Sequence, residues 1–193
     1  MTTEPLLPAA ISFDVNQAVL ALQQGAVIAY PTEAVFGLGC DPDNQVAVQK
    51  ILEIKCRPVE KGLILLAASL APLLPYIDYA GLSSSQRQKL LSRQARPTTW
   101  LVPVSDKTPA WICGQFNTVA VRITRHPVVE SLCQQWDKPL VSTSANYSGE
   151  PPALTAVNAA HLQGVDLVLD GALGGAEQTS QILDIKTGAL LRP

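Results

Sequence analysis

Three groups of polar residues stand where short apolar runs begin or end, and each has the chemistry to hold an anion or a small polar molecule. The first is Lys55-Cys56-Arg57-Pro58-Val59-Glu60-Lys61-Gly62, directly before the apolar run Leu63-Ile64-Leu65-Leu66-Ala67-Ala68. Lys55, Arg57 and Lys61 bring three cations into seven residues. Arginine offers planar, paired donors to phosphate oxygens and lysine a compact charge, so this run suits a polyphosphate cradle. The same cations also suit a helix C-terminus, where they complement the dipole. The second group, Ser142-Thr143-Ser144-Ala145-Asn146, follows the apolar Leu140-Val141. Its hydroxyls and amide can bond a carboxylate, a ribose or a phosphate without adding charge. Capping a helix is the plainer use of such residues.

The third group is Pro31-Thr32-Glu33-Ala34-Val35-Phe36-Gly37-Leu38-Gly39, on the exit of the apolar run Ala26-Val27-Ile28-Ala29-Tyr30. Ligands of open α/β sheets bind beyond the carboxyl ends of strands. Pro31 stiffens this exit, and Gly37 and Gly39 permit close backbone approach. An ordinary strand-to-helix connection reads the same way. Arg122 alternates with apolar residues in Thr118-Val119-Ala120-Val121-Arg122, where an arginine needs an anionic ligand or a structural carboxylate. Arg192, next to the last residue, is by default a solvated side chain.

Several other chemistries are absent from the sequence. It has no G-x-x-x-x-G-K-[ST] phosphate loop and no G-x-G-x-x-G. Neither His126 nor His161 adjoins a reactive hydroxyl in the manner of a hydrolase triad. The four cysteines, Cys40, Cys56, Cys113 and Cys133, form no C-x-x-C pair, so they read as reduced and mostly buried rather than as zinc ligands. A net charge of −2 does not advertise a nucleic-acid binder, although it leaves room for a local basic groove.

The elements that must position these groups are legible in the hydrophobic pattern. Residues 14–24 have helical spacing ended by Gly25, and residues 44–55 form a second helix with Val48, Ile51 and Leu52 turned inward. Helices are also expected over 71–76, 84–92 and 128–136. Strands are expected over 26–30, 63–68, 99–104, 118–123, 140–142, 165–169 and 182–185. Alternation of strands and helices implies an α/β domain, with a strand-rich tail that makes the sheet mixed. At 193 residues, 47% of them hydrophobic and 16% charged, the chain fits one domain spanning 1–193 with a substantial core. No apolar run approaches the ~20 residues of a membrane span. The N-terminal stretch, with Glu4 and no basic residue before Ile11, lacks the start of a secretory leader, so the chain reads as soluble and cytoplasmic.

Taken together, these segments resemble the YrdC/TsaC family of threonylcarbamoyl-AMP synthases. Pro31-Thr32-Glu33 with Gly37-Leu38-Gly39 looks like that family's opening loop. Lys55-x-Arg57 followed by Ser144-x-Asn146 looks like its signature, with Val121-Arg122-x-x-x-His126-Pro127 between them. Thr179-Ser180-Gln181-Ile182-Leu183-Asp184 resembles its late serine motif. Each is weak alone, but their order over the whole chain makes the match strong. The resemblance implies a twisted, partly parallel mixed sheet with flanking helices around a concave basic cavity, in the short, single-domain form. It implies that Lys55, Arg57 and Lys61 meet the phosphates of ATP, with Thr118, Ser144 and Ser180 on the nucleotide side. Thr32, Arg122 and Ser142 then hold L-threonine, Arg122 through the carboxylate, and Asn146 organises the reacting groups.

The implied reaction joins L-threonine, bicarbonate and ATP into threonylcarbamoyl-AMP with release of pyrophosphate. It calls for positioning and charge neutralisation rather than a covalent nucleophile. Mg²⁺ accompanies the ATP, and the product passes to partner proteins that modify the adenosine 3′ of the anticodon in tRNA. Departures from the family pattern are Ala34 and Leu66, expected to reshape the threonine side, and Gln94-Ala95-Arg96 before Pro97 in place of a Trp-Pro-Gly stretch. The alternative function is binding of structured RNA in ribosome maturation, through a basic concave surface; the few aromatics, 5%, favour it little. Carbamoyl-adenylate chemistry on carbamoyl phosphate, as in hydrogenase maturation, is a further rival, disfavoured because it accompanies additional domains.

Overall fold

The computed structural model of the chain describes residues 7–193. Glu4, part of the leader argument above, lies outside the described residues. In chain order the elements are β1 (Ala10–Ser12), α1 (Val15–Gln23), β2 (Ile28–Pro31), β3 (Phe36–Gly39), α2 (Gln45–Ile54), β4 (Ile64–Ala67), α3 (Ser84–Leu91), β5 (Thr98–Pro103) and α4 (Ala110–Cys113). They continue with β6 (Thr118–Ile123), α5 (Pro127–Trp136), β7 (Leu140–Ser144), α6 (Ala156–Ala160), β8 (Leu167–Leu169), β9 (Gln181–Asp184) and β10 (Leu190–Arg192). Local chemistry sets the helix starts. Asp14 and Asn44 cap α1 and α2 by accepting from Asn16 N and Ala47 N, and Ser83 with Gln86 forms a capping box on α3.

The ten strands among the described residues belong to one mixed sheet, in the order β1-β8-β2-β3-β7-β4-β6-β5-β9-β10. β1/β8, β2/β8, β4/β6 and β5/β9 run parallel, while β2/β3, β3/β7, β4/β7, β5/β6 and β9/β10 run antiparallel. One face carries Val119, Val121, Val141, Leu65 and Val102 into a large buried cluster with Val48, Ile51 and Leu52 of α2 and the alanines of α6. On the other face, Ile28, Tyr30, Leu66, Leu140 and Leu169 pack under α1 and α5, meeting Leu22, Val129 and Leu132. These two helices cover only part of that face. The remainder, over β6, β5, β9 and β10, carries polar and apolar side chains side by side and becomes the hollow described below.

Besides β3, four elements were not expected from the sequence, and each has few residues of its own. β1 and β10 are three-residue edge strands, and α4 and α6 are helices of one turn or little more. Residues 36–39, taken above as loop, form β3 and pair with β2 as a hairpin. Their glycines hid the strand. A Cβ on Gly39 would stand 2.5 Å from Val141 O and 2.7 Å from the Tyr30 ring, so the sheet closes there only without a side chain. Residues 71–76 wind as 3-10 turns rather than as an α-helix, with prolines at 72 and 75 removing amide donors. The cysteine expectation holds for half the set: Cys40 and Cys133 are buried, but Cys56 is exposed and Cys113 partly so. Among the described residues no helix is long and apolar enough to cross a membrane.

Candidate active site

Strand register explains how residues far apart in sequence reach one hollow. Side chains directly opposite one another share a face, and residues two apart along a strand do so too. Ile64 pairs with both Ala120 and Ser142, so Thr118, Ala120 and Arg122 of β6 face the same way as Ser142 and Ser144 of β7. Gly37 pairs with Ser144, Leu101 with Ala120, Thr99 with Ile182, and Arg192 with Ile182. This carries the same face from β3 to the far edge of the sheet. Three adjoining cavities open on it. A middle cavity of about 140 Å³ is walled by Thr32, Arg122, Ser142, Ser144, Ser180 and Arg192. On one side it shares Ile64, Ser142 and Arg192 with a more apolar cavity of about 250 Å³ that also holds Arg57, Lys61 and Thr118. On the other side it shares Glu33, Pro97 and Arg122 with a cleft of about 350 Å³.

Lys55 sits at the C-cap of α2 and is buried. Its ammonium donates to Ser144 O at 2.9 Å and Asn146 O at 2.8 Å, and also contacts Ser144 Oγ at 3.2 Å and Asn146 Oδ1. Four oxygens surround three N–H bonds, so the group is saturated by the protein itself. Ser144 Oγ donates to Asn146 Oδ1 at 2.6 Å, and Asn146 Nδ2 donates to Glu150 O at 2.6 Å. Lys55 thereby ties the Ser144-x-Asn146 turn to α2. Neither Lys55 nor Asn146 forms part of the three cavity walls. Burial first, and then the charge of Arg57, pulls Lys55 from the usual lysine range to about 8.

Arg57 wraps back on its own loop, with Nε and Nη2 donating to Gly62 O at 3.1 and 2.9 Å and Nη2 also to Lys61 O at 3.1 Å. The loop that makes this possible contains Cys56 and Gly62, both at positive φ (43° and 62°). Arg192, although exposed, is not a loose side chain: it folds over the cavity and donates through Nη2 to Ser180 O at 2.7 Å and Ser180 Oγ at 3.2 Å. Ser180 Oγ also shares a hydrogen bond with Thr99 Oγ1 at 2.8 Å. Burial lowers both Arg57 and Arg192 relative to free arginine, and the charges of Arg122 and Arg57 lower Arg192 further. All remain charged. Three guanidinium groups therefore crowd one hollow, an arrangement that an anionic ligand relieves.

Arg122 is paired with Glu33 through one nitrogen, Nη2, while Thr124 Oγ1 donates to the other Glu33 oxygen at 3.0 Å. Burial acts to raise the Glu33 carboxyl, but Arg122 and the hydrogen bonds overcome it and hold the group below the usual carboxylate range. Both readings of Arg122 thus meet in one residue: it has a structural carboxylate, and it keeps donors facing two cavities. The glycine-rich segment after β8 completes the wall. Gly174 N donates to Thr32 O at 3.0 Å, Ala176 N to Glu33 O at 2.7 Å, and His126 Nε2 bonds Ala172 O at 3.0 Å. A Cβ on Gly174 would lie 2.9 Å from Glu33 Cα, which accounts for glycine there.

The family model described as telomere recombination, which covers the Sua5, YciO and YrdC proteins, matches residues 20–193. The chain belongs to that family. It is 51% identical over 179 residues to the threonylcarbamoyl-AMP synthase of Vibrio campbellii, covering 92% of this chain and 97% of the relative. It is 49% identical over 183 residues to that of Xanthomonas axonopodis pv. citri, covering 94% and 98%. Among solved structures it is similar to P. abyssi Sua5 complexed with L-threonine, at 28% identity and a TM-score of 0.83. That alignment takes in 97% of this chain and 57% of the P. abyssi protein, so the present chain spans little more than half of that relative's length.

Set in this family, the residues singled out from sequence fall into two groups. Thr32, Arg57, Lys61, Thr118, Arg122, Ser142, Ser144 and Ser180 line the joined cavities, whereas Lys55 and Asn146 brace the turn that presents Ser144. Ala34 lines the middle cavity, but Leu66 is 1% exposed in the cluster beneath α5 and does not border it. Leu66 therefore does not shape the pocket directly, contrary to the expectation from sequence. Sequence reasoning missed Arg192, Glu33 and Thr99. The apolar triplet Ala189-Leu190-Leu191 before Arg192 was the available sign of a paired strand. Among the described residues no group of three His, Cys, Asp or Glu side chains is placed to hold a metal ion.

Proposed function

We propose that this chain is a threonylcarbamoyl-AMP synthase, condensing L-threonine, bicarbonate and ATP with release of pyrophosphate. The observation that carries the reading is the convergence of Arg57, Arg122, Ser144, Ser180 and Arg192 on cavities joined along one sheet face. The apolar cavity, with Leu101, Ile112, Phe116 and Ile182 beside Thr118, suits a nucleobase and its ribose. Arg57, Lys61 and Arg192 then meet phosphate oxygens, and Mg²⁺ enters with ATP as part of that substrate. Arg122, already oriented by Glu33, takes the threonine carboxylate with the donors that Glu33 leaves free, while Thr32 and Ser142 accompany the rest of the amino acid. Lys55 and Asn146 hold the turn that places Ser144 on the cavity wall.

Catalysis on this reading is nucleotidyl transfer by positioning. N-carboxy-threonine brings its new carboxylate to the α-phosphorus, pyrophosphate leaves, and fixed cations neutralise the charge that builds up. No side chain need become acylated or adenylated. The product is labile and passes in the cytoplasm to partner proteins that modify tRNA at the adenosine 3′ of the anticodon. Mass spectrometry of the products formed from ATP, bicarbonate and each amino acid in turn tests the reading. A threonylcarbamoyl-adenylate formed with threonine is the expected result, and pyrophosphate release indifferent to threonine overturns it.

A further inference from the structure

The cleft on the outer side of Arg122 has no part in the assignments made so far. Residues 92–97, the end of β6 and the glycine-rich segment enclose it, and Arg93, Arg96, Arg122 and Arg125 all contribute to its lining. The carboxylates facing them are Glu33, committed to Arg122 and Thr124, and Glu130, 3.4 Å from Arg125. Four guanidinium groups against two carboxylates leave the cleft positive. Its apolar lining includes Leu90, Trp100 and Ile123. Like charge over low-dielectric walls concentrates counter-anions locally.

The order of the cavities says which anion. The nucleotide cavity meets the middle one at Ser142 and Arg192, whereas the arginine cleft meets it at Glu33, Pro97 and Arg122. Arg122 therefore stands between the amino-acid position and the cleft, on the side away from the nucleotide. A substrate whose carboxylate rests on Arg122 has its neighbouring amine within the reach of whatever enters by this route. Of the three substrates, only bicarbonate still has no place. Arg96 Nη2 donates to Gln178 Oε1 at 3.1 Å, and Gln178 and Pro97 both wall the middle cavity, so this contact lies between the two spaces.

We propose that this cleft is the bicarbonate vestibule of the enzyme, with Arg93, Arg96 and Arg125 gathering the anion and Arg122 passing it to the bound amino acid; the inference rests on the synthase reading. In the step served, the neutral threonine amine attacks the bicarbonate carbon, forming the N–C bond. The C–OH bond breaks, and the hydroxyl leaves as water with one proton from the amine, giving N-carboxy-threonine.

The test is threonine-dependent pyrophosphate release in degassed buffer, titrated with bicarbonate, for the wild type, Arg96→Ala, Arg125→Ala and the double variant. Arg96→Lys and Arg125→Lys serve as charge-conserving controls. Loss of two field-shaping cations should raise the bicarbonate KM about tenfold in the double variant. The KM values for threonine and ATP should stay within about twofold, the lysine forms should restore most of the loss, and added salt should raise the bicarbonate KM of the wild type more than that of the double variant. A bicarbonate KM unchanged by the double substitution overturns the proposal, as does a rise of all three KM values together. Wild-type protein that releases no pyrophosphate with all three substrates present overturns the synthase reading itself, a result distinguishable from either.

Discussion

Replacing Lys55 by methionine separates what the ammonium does for the site from what it does for the fold. Methionine keeps an unbranched stem of similar length but donates no hydrogen bond. Hydrogen bonds from charged donors contribute about 1.5 to 3 kcal/mol each. Losing those to Ser144 O and Asn146 O, with water from the adjoining hollow replacing part of them, costs roughly 3 to 4 kcal/mol of order in the turn. At 1.36 kcal/mol per decade this is about a 10²- to 10³-fold loss in kcat/KM for adenylate formation. Global stability should move less. Lys55 is pulled from 10.5 to about 8, so burial works against the charged form at neutral pH. That adverse contribution is on the order of 1 to 3 kcal/mol once water near the group is allowed for. Its removal offsets much of what the lost hydrogen bonds cost, so the melting temperature should fall by only a few degrees, since 1 kcal/mol corresponds to about 2 to 4 °C at this size. Pyrophosphate release and calorimetry on the same preparations measure both. Activity within about tenfold of wild type would refute the bracing role, and a melting temperature lower by more than about 10 °C would show that the ammonium serves the fold instead. Combining Lys55→Met with Asn146→Ala should cost little more than either alone, because both disrupt one network.

Arg192→Ala should weaken ATP more than threonine, raising the ATP KM by about tenfold, the worth of roughly one charge-assisted hydrogen bond; equal effects on both substrates in steady-state kinetics would contradict its placement. Gly39→Ala should lower the melting temperature by at least several degrees, because its Cβ would lie 2.5 Å from Val141 O and force β3 from β7. The pH dependence follows from Lys55. Between about 8 and 10.5 the unfolded chain binds a proton that the folded one has released, so this group's contribution to stability improves as pH rises through that window. Activity moves oppositely: kcat/KM for ATP should fall above a pKa near 8 as the ammonium loses its charge and one of its donors, and Lys55→Arg should shift that limb to higher pH.

Most of the secondary structure was legible because it is written in local periodicity. Helices α1 and α2 carry apolar spacing and side-chain caps, α3 a capping box, α5 apolar spacing and strands β4 to β7 apolar runs, and they appear within a few residues of where the pattern places them. What escaped was structure that exists only through a partner. β3 has two glycines in four residues and reads as loop until Tyr30 and Val141 are seen to need the space. β1 and β10 are three residues each, held by β8 and β9. The short helices α4 and α6 carry too little periodicity to announce themselves.

The site divides along the same line. Residue types at fixed spacing, Lys55-x-Arg57, Ser142-x-Ser144-x-Asn146 and Arg122 on an apolar strand, were set by the sequence, together with the anion chemistry available to them. Which of them face the ligand was not. Register places Thr118, Arg122, Ser142, Ser144 and Arg192 on one face, while Lys55 reaches the rear of the same turn from α2 and is consumed there. A side chain's donors are spent on whichever oxygens lie nearest in space, and those oxygens lie 89 and 91 positions away along the chain. Only the folded sheet fixes such neighbours, so the sequence specified the reagents and the tertiary structure decided which of them remain free to bind.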